Sequence, residues 1–195
     1  MNYQSDLLIM QEFGLQSVMG IDEAGRGALA GPVVIAAVIL NYNDPIFGLN
    51  DSKLLSAKKR DLLYDCIIQR AVAYSLVEID APTIDMINIR QASLLGFSKV
   101  YQALQEQADH ALVDGKDLPG DISGWSVIKG DQIHACIAAA SILAKVHRDR
   151  LMIALDGSYP DYGFAAHKGY GTLRHYEALN RVGACIEHRQ TFRLN

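Results

Sequence analysis

Four carboxylates stand where solvation alone would not put them. Asp22 and Glu23 end an apolar run that begins at Val18, while Asp114 and Asp131 each follow a short apolar run and sit beside a glycine, Gly115 and Gly130. A charge at the end of an otherwise buried strand is costly unless it is paired or bound to a metal. If the strands carrying these acids are neighbours in one sheet, the carboxylates converge. A set of oxygen ligands without histidine or cysteine suits a hard cation such as Mg²⁺ or Mn²⁺, which keeps waters and binds phosphate oxygens. That is the ligand set of two-metal phosphoryl transfer, in which one ion activates the attacking water and the other stabilises the leaving oxygen. Any one of these acids alone would read equally well as a turn residue or a helix cap, since Asp-Gly is a common turn. Four in the same setting are harder to assign that way.

Directly beyond the acidic pair, Gly25-Arg26-Gly27 sets a guanidinium between two residues without side chains. Glycine lets a backbone approach a sugar or phosphate closely. The run Gly25 to Ala30 also fits the loose pattern of a dinucleotide-binding turn, but that fingerprint needs a helix after the glycines to hold a pyrophosphate. Here Pro32 and a β-branched run follow, which argue for a strand.

The elements that must carry these residues can be read from the hydrophobic pattern. Val18 to Asp22 and Val33 to Leu40 read as strands, paired as an antiparallel hairpin because their connection is short. Ser56 caps a helix that runs to Gln69, Val72 to Ile79 is a third strand closed by Pro82, and Ile84 to Leu104 is a long packing helix with apolar residues at helical spacing. His110 to Val113 and Ser126 to Ile128 are short strands, expected as parallel neighbours. Ile133 to Leu155 is alanine-rich and reads as one helix, and Thr172 to Arg181 as another. There is no internal repeat, low-complexity tract or linker.

Composition bounds the function classes. With 195 residues, 50% of them apolar and 21% charged, the chain can bury a substantial core as one domain, and neither disorder nor a coiled coil fits. The stretch from Met1 to Gly14 carries Asp6 and Glu12 and lacks the features of a signal peptide. No apolar run is long enough to cross a bilayer, so no membrane association is expected and a cytoplasmic location is. Cys66, Cys136 and Cys185 show no zinc or redox spacing and are expected to be reduced. A net charge of −4 argues mildly against nucleic acid as a partner. An acidic metal site explains part of that charge, and basic residues can still concentrate on one face, with Lys53, Lys58, Lys59 and Arg60 as one cluster and Lys145, Arg148 and Arg150 as another.

The stretch from Gly20 to Val34, GIDEAGRGALAGPVV, resembles the opening signature of bacterial ribonuclease HII. The DSK at Asp51 to Lys53, the VDG at Val113 to Gly115, the block from Lys129 to Met152 and the block from Tyr159 to Thr172 resemble later family motifs in the same order, so the likeness runs from about Val18 to Phe192. It implies an α/β ribonuclease H-like fold: a mixed five-stranded sheet flanked by helices, with a small helical C-terminal extension over about 156–195 of a single catalytic domain spanning 1–195. It implies Asp22, Glu23, Asp114 and Asp131 as catalytic, metal-binding acids holding two Mg²⁺ or Mn²⁺ ions. Gly25, Arg26 and Gly27 would contact the ribose 2′-hydroxyl at an RNA–DNA junction, the group that distinguishes the two nucleic acids. Tyr170 would complete that test. Lys53, Ser141 and Lys145 would face the nucleic-acid backbone, although a solvated charged face also accounts for both lysines. Asp149 reads as structural support.

The implied activity is a metal-dependent endonuclease that hydrolyses the RNA strand of RNA–DNA hybrids. It would also cut 5′ of ribonucleotides embedded in duplex DNA, leaving 3′-hydroxyl and 5′-phosphate ends, in ribonucleotide excision repair and primer clearance. A monomer is expected, and the sequence points to no protein partner. Leu54, Ala28 and His134 depart from the family pattern. Leu54 replaces a lysine, and His134 reads as a helix cap more readily than as a substrate contact. Two alternatives stay open: a non-catalytic hybrid-binding module of the same fold, and the sister type HIII enzyme. The latter normally adds an N-terminal domain, for which the roughly 17 residues before the first strand leave no room.

Overall fold

The computed structural model describes residues 2–50, 52 and 54–194, and five strands within them form one mixed sheet in the order β3-β2-β1-β4-β5. β1 (Val18–Ala24) and β2 (Val33–Ile39) pair antiparallel, with Asp22 opposite Ala36 and Glu23 opposite Ile35. β3 (Ala73–Ile79) extends the antiparallel half, while β4 (His110–Asp114) and β5 (Gly124–Val127) run parallel to β1 on its other side. The expected hairpin and the expected parallel neighbours both form. β5 begins two residues before the run read from the sequence, because Trp125 pairs with Leu112 and packs its ring at a tilt against Phe13 and His110, while Ile128 is exposed.

Two helical layers cover the sheet. α3 (Ala81–Leu104) is capped by Asp80, which accepts from the Thr83 N–H at 2.9 Å, is kinked at Asn88, whose φ of 65° breaks the single helix expected from Ile84 to Leu104, and packs Ile84, Phe97 and Val100 on Ile21, Ile35 and Val113. The opposite face carries α2 (Ala57–Arg70), capped by Ser56 as its sequence suggests, together with α4 (Gly130–Ile133) and α5 (Ala135–Ser158). Ala138, Ala139, Ala140 and Ala144 are fully buried, and their small side chains let α5 lie close across β1. At Gly20 the approach is so tight that a Cβ there would sit 2.1 Å from the Cys136 carbonyl carbon.

The helix read as one unit from Ile133 to Leu155 is divided at His134, whose backbone is extended. The division follows from a carboxylate the sequence reading left unassigned. Asp6, on α1 (Asn2–Phe13), is fully buried and accepts from the backbone N–H of Ala135 at 3.2 Å and of Cys136 at 3.0 Å. It therefore caps α5 from a distant part of the chain, where an anion is favoured by the orphan N–H groups and the helix dipole. The same carboxylate accepts from the Tyr42 hydroxyl at 2.9 Å and meets His134 Nδ1 at 2.9 Å. His134 thus marks the helix boundary without capping through its own side chain, and it is buried.

Beyond α5, α6 (Phe164–His167) and α7 (Leu173–Val182) build a satellite core of Tyr162, Phe164, Ala178 and Leu179 on Leu29, Ala30 and Met152. The helical extension expected over 156–195 is therefore packed on the glycine-rich loop after β1. Cys66, Cys136 and Cys185 are free thiols. Among the described residues no helix is long and apolar enough to cross a membrane.

Candidate active site

Because β1 and β4 are parallel neighbours, their C-terminal ends lie side by side, and these ends carry Asp22, Glu23 and Asp114. Asp22 is buried, accepts the Glu23 N–H at 2.7 Å and hydrogen bonds with the Ser141 hydroxyl. Burial, and then the charges of Glu23 and Asp114, push its carboxyl well above the usual range despite those two bonds. Asp114 Oδ1 accepts the Gly130 N–H at 2.6 Å, which ties the end of β4 to the first turn of α4. Asp131, the next residue in that turn, is buried and does not line the cleft that the other three acids share.

That cleft, of about 350 Å³, is walled by Asp22, Glu23, Asp114, the Gly25-Arg26-Gly27 loop, Ser52, Ser141, Lys145 and Tyr170. A larger cleft of about 520 Å³ between Pro32, Asp80, Leu95 and Leu155 lacks a comparable convergence of site residues. Among the described residues no three metal-ligating side chains are already drawn into a closed cage. An Mg²⁺-type ion does not need one, since it is held by one or two carboxylates with waters and substrate phosphates completing its shell. The chemistry of the donors fits: the charges of Glu23 and Asp114 add to burial in raising the proton affinity of Asp22, and a divalent ion would relieve that repulsion.

Two buried arginines shape the glycine loop. Arg148 donates to the carbonyls of Ala30 at 3.0 Å, Pro32 at 2.9 Å and Lys168 at 2.9 Å. Arg189 donates to those of Gly25 at 2.8 Å, Arg26 at 2.9 Å and Gly31 at 2.9 Å. Burial, and then the neighbouring Arg148, pull the Arg189 guanidinium down to about 9. In a trans peptide the C=O and the following N–H point in opposite directions. Drawing the Gly25 and Arg26 carbonyls inward therefore turns the N–H groups of Arg26 and Gly27 away from Arg189, on a loop that lines the cleft. The Arg26 side chain is exposed and reaches Glu23 at 3.3 Å.

Of the residues expected to face nucleic acid, Lys145 is partly exposed, donates to Asp149 at 2.7 Å and lies 5.8 Å from the centroid of the Tyr170 ring. Asp149 has the supporting contact expected of it. Ser141 is buried and meets Ser52 Oγ at 3.0 Å as well as Asp22, so it supports the acid more than it faces solvent. Lys53 lies outside the described residues. The two basic clusters do not form one cationic face. Arg148 is wholly internal, Arg60 is spent on the carbonyls of Ser52 and Leu55, and Arg150 pairs with Asp61 and lies over Tyr64. Lys58 and Lys59 are exposed.

The sequence reading missed Arg189, His175, His188 and Asp6, whose partners are remote or lie in the irregular C-terminal segment. For Arg148 a signal existed: Ser141, Ala144, Arg148 and Met152 recur at helical spacing on the buried stripe of α5.

Against known proteins, residues 19–195 match the family model for ribonuclease HII. A curated relative, ribonuclease HII 1 of Methylibium petroleiphilum, is 52% identical over 184 residues, covering 94% of this chain and 93% of its own. Among solved structures, the ribonuclease HII in the PCNA:RNase HII complex from Archaeoglobus fulgidus superposes with a TM-score of 0.78 at 25% identity, over 92% of this chain and 96% of that one. Ribonuclease H2 from Pyrococcus horikoshii gives 0.75 at 26% identity, over 92% and 95%. The sheet order and flanking helices described above are the ribonuclease H-like fold.

Proposed function

The chain belongs to the ribonuclease HII family and is an endonuclease that cleaves the RNA of RNA–DNA hybrids, and we propose that it does so with Asp22, Glu23, Asp114 and Asp131 as metal-binding acids. Divalent cations are the cofactor class of the family. Two of them, Mg²⁺ or Mn²⁺, would supply an activated water and a stabilised leaving oxygen when bound. The substrate includes single ribonucleotides embedded in duplex DNA, cut on their 5′ side to leave a 3′-hydroxyl and a 5′-phosphate. The protein works as a monomeric catalytic domain in the cytoplasm.

What supports this assignment is one cleft in which three carboxylates sit beside the Gly25-Arg26-Gly27 loop and Tyr170. The acids hold the metal, and the Ser141 hydroxyl steadies Asp22. The N–H groups of Arg26 and Gly27 sit on a loop whose two glycines carry no side chains, and they approach the ribose and its phosphate. The Tyr170 ring closes the far wall against the sugar that follows the ribonucleotide. Lys145, already beside that ring, takes a backbone phosphate, and Lys53 is assigned the same task from sequence alone. A hybrid-binding module without catalysis is disfavoured, because it would keep neither the acids nor the crowding that calls for a cation.

The test is cleavage of an end-labelled DNA duplex containing one ribonucleotide, with Mg²⁺, Mn²⁺ or chelator, by the unmodified chain and by Tyr170→Ala. A metal-dependent cut on the 5′ side, lost more severely in Tyr170→Ala than cleavage of a long hybrid, is expected. Cleavage of long hybrids only would remove the junction assignment, and no metal-dependent cleavage of either substrate would remove the catalytic one.

A further inference from the structure

Two imidazoles, His188 in the segment after α7 and His175 on α7, link that segment to the Tyr170 peptide, and their proton positions are dictated by their neighbours. His188 Nδ1 lies 3.0 Å from the backbone nitrogen of Cys185. A backbone N–H can only donate, so this ring nitrogen accepts, and the neutral ring carries its proton on Nε2. His188 Nε2 is 3.0 Å from His175 Nε2, which must then be the acceptor. The proton of His175 therefore sits on Nδ1, 3.0 Å from the carbonyl oxygen of Tyr170, a group that only accepts. With both rings neutral, a single pair of tautomers satisfies all three bonds. Both rings are buried, and burial lowers the pKa of each, that of His188 to about 4.

The segment these bonds reach needs holding. Tyr170 lies between α6 and α7, outside any strand, and the backbone just before it passes through left-handed conformations at Lys168 and Gly169. The Tyr170 N–H donates to the His167 carbonyl at 3.0 Å and the Thr172 N–H to the Tyr170 carbonyl at 2.8 Å, while just before them the Gly169 N–H donates to His167 Nδ1 at 3.2 Å and Arg148 holds the Lys168 carbonyl at 2.9 Å. The turn is joined to the glycine loop through the Gly169 carbonyl, which accepts the Leu29 N–H at 2.8 Å. The residue after His188 is Arg189, which holds the other half of the site at Gly25 and Arg26.

We propose that His175 and His188 are positioning residues for ribose recognition. The directed chain from the Cys185 N–H through His188 and His175 to the Tyr170 carbonyl fixes the peptide that aims the Tyr170 ring into the cleft. This rests on the assignment of Tyr170 as the group that faces the sugar. The two imidazoles touch no substrate, and their effect is on selectivity for single embedded ribonucleotides over long hybrids, where many ribose contacts compensate for a misaimed ring.

The first test needs no mutation. Long-range ¹H–¹⁵N spectra of the full chain at neutral pH read the tautomer of each histidine, and His188 is expected protonated on Nε2 and His175 on Nδ1. Any other pair overturns the chain. The second test measures kcat and KM on both substrates. His188→Leu should lower the ratio of single-ribonucleotide to long-hybrid cleavage about tenfold, the scale expected when a contacting group is misplaced by a fraction of an ångström. His188→Gln, which keeps an amide N–H to donate to His175, should restore most of that ratio. In a Tyr170→Ala background, His188→Leu should change the ratio no further, since both act through one group. Losses that multiply in the double variant, or that fall equally on both substrates, overturn the proposal while leaving the Tyr170 assignment standing. Equal losses on both substrates in Tyr170→Ala itself overturn that assignment and this proposal with it.

Discussion

Arg148 passes so close beneath Gly25 that a Cβ added to the glycine would lie 1.8 Å from the guanidinium Nε. The arginine cannot withdraw, because its three bonded carbonyls, on Ala30, Pro32 and Lys168, anchor it to two loops at once. Gly25 also holds a φ of +93°, which residues with a side chain rarely adopt. The first glycine of the loop is thus required by what lies under it, apart from any need of the substrate above it.

Gly25→Ala should therefore cost roughly 3 kcal/mol from overpacking and backbone strain together, a fall in Tm of about 10 °C. Cleavage should drop at least about 100-fold, because the loop must move from its position over the acids. Gly27→Ala is the control: nothing lies within 4 Å of its added Cβ, so thermal stability should be unchanged. A Gly25→Ala variant that melts with the wild type in a calorimetric scan would contradict the packing described here.

Asp6→Ala removes the acceptor for the first N–H groups of α5 and leaves the Tyr42 hydroxyl and His134 without their shared partner. Loss of a cap together with newly unsatisfied buried groups should destabilise by about 3 kcal/mol in urea unfolding. Asp6→Asn keeps one acceptor oxygen and should cost about half of that. Equal effects of the two substitutions would mean that the charge, and not the hydrogen bonds, is what α5 requires.

The convergence of Asp22, Glu23 and Asp114 was legible in the sequence because a carboxylate ending an apolar strand conflicts with burial, and that conflict can be seen locally; Asp131 showed the same local setting, yet it stands on α4 and does not line the shared cleft. The sheet was legible for the same reason: alternation, β-branched runs and turn residues are local properties. Arg189 and Asp6 were not, because the loop carbonyls that Arg189 binds and the α5 N–H groups that Asp6 caps lie more than 100 positions from them, and for Arg148 the helical stripe showed burial but not its equally remote partners Ala30 and Pro32. Local charge density made Lys145, Arg148 and Arg150 look like one basic surface, yet the helix turns Arg148 inward while Arg150 stays exposed. The break at His134 was hidden by the alanine-rich run after it, since helix propensity does not report a cap supplied by α1.

Stability should fall on acidification through a window set by the buried histidines. For His188 the folded pKa is about 4 against an ordinary value of 6.5, with burial as the main cause and His175 next, and His175 is shifted in the same direction. A depressed pKa means the folded state prefers the neutral ring, so its contribution is complete above about pH 6.5 and is lost as pH falls toward 4. Cys185, His167, Tyr162 and Glu187 are the other titratable groups around this pair. Allowing for solvent screening, the loss should be roughly 1–2 kcal/mol, a Tm lower by about 3–6 °C at pH 4.5 than at pH 7. His188→Gln should flatten that profile. A variant whose Tm falls as steeply as the wild type would assign the acid sensitivity to other groups.

Asp114 separates a structural bond from a charge. Its Oδ1 accepts the Gly130 N–H at 2.6 Å, a bond that the amide oxygen of Asn can also accept. Its charge is one of those that push the Asp22 carboxyl upward. Asp114→Asn should therefore keep α4 in place and, without metal, melt at or slightly above the wild-type temperature, because a like charge has been removed from a crowded site. The increase in Tm produced by millimolar Mn²⁺ should shrink, since binding to the folded state is weakened. Cleavage of both substrates should fall by at least about 100-fold, the scale associated with losing one electrostatic stabiliser of the transition state. If Asp114→Asn instead melted several degrees lower, the bond to Gly130 would depend on the carboxylate charge, and the loss of cleavage could no longer be attributed to metal binding alone.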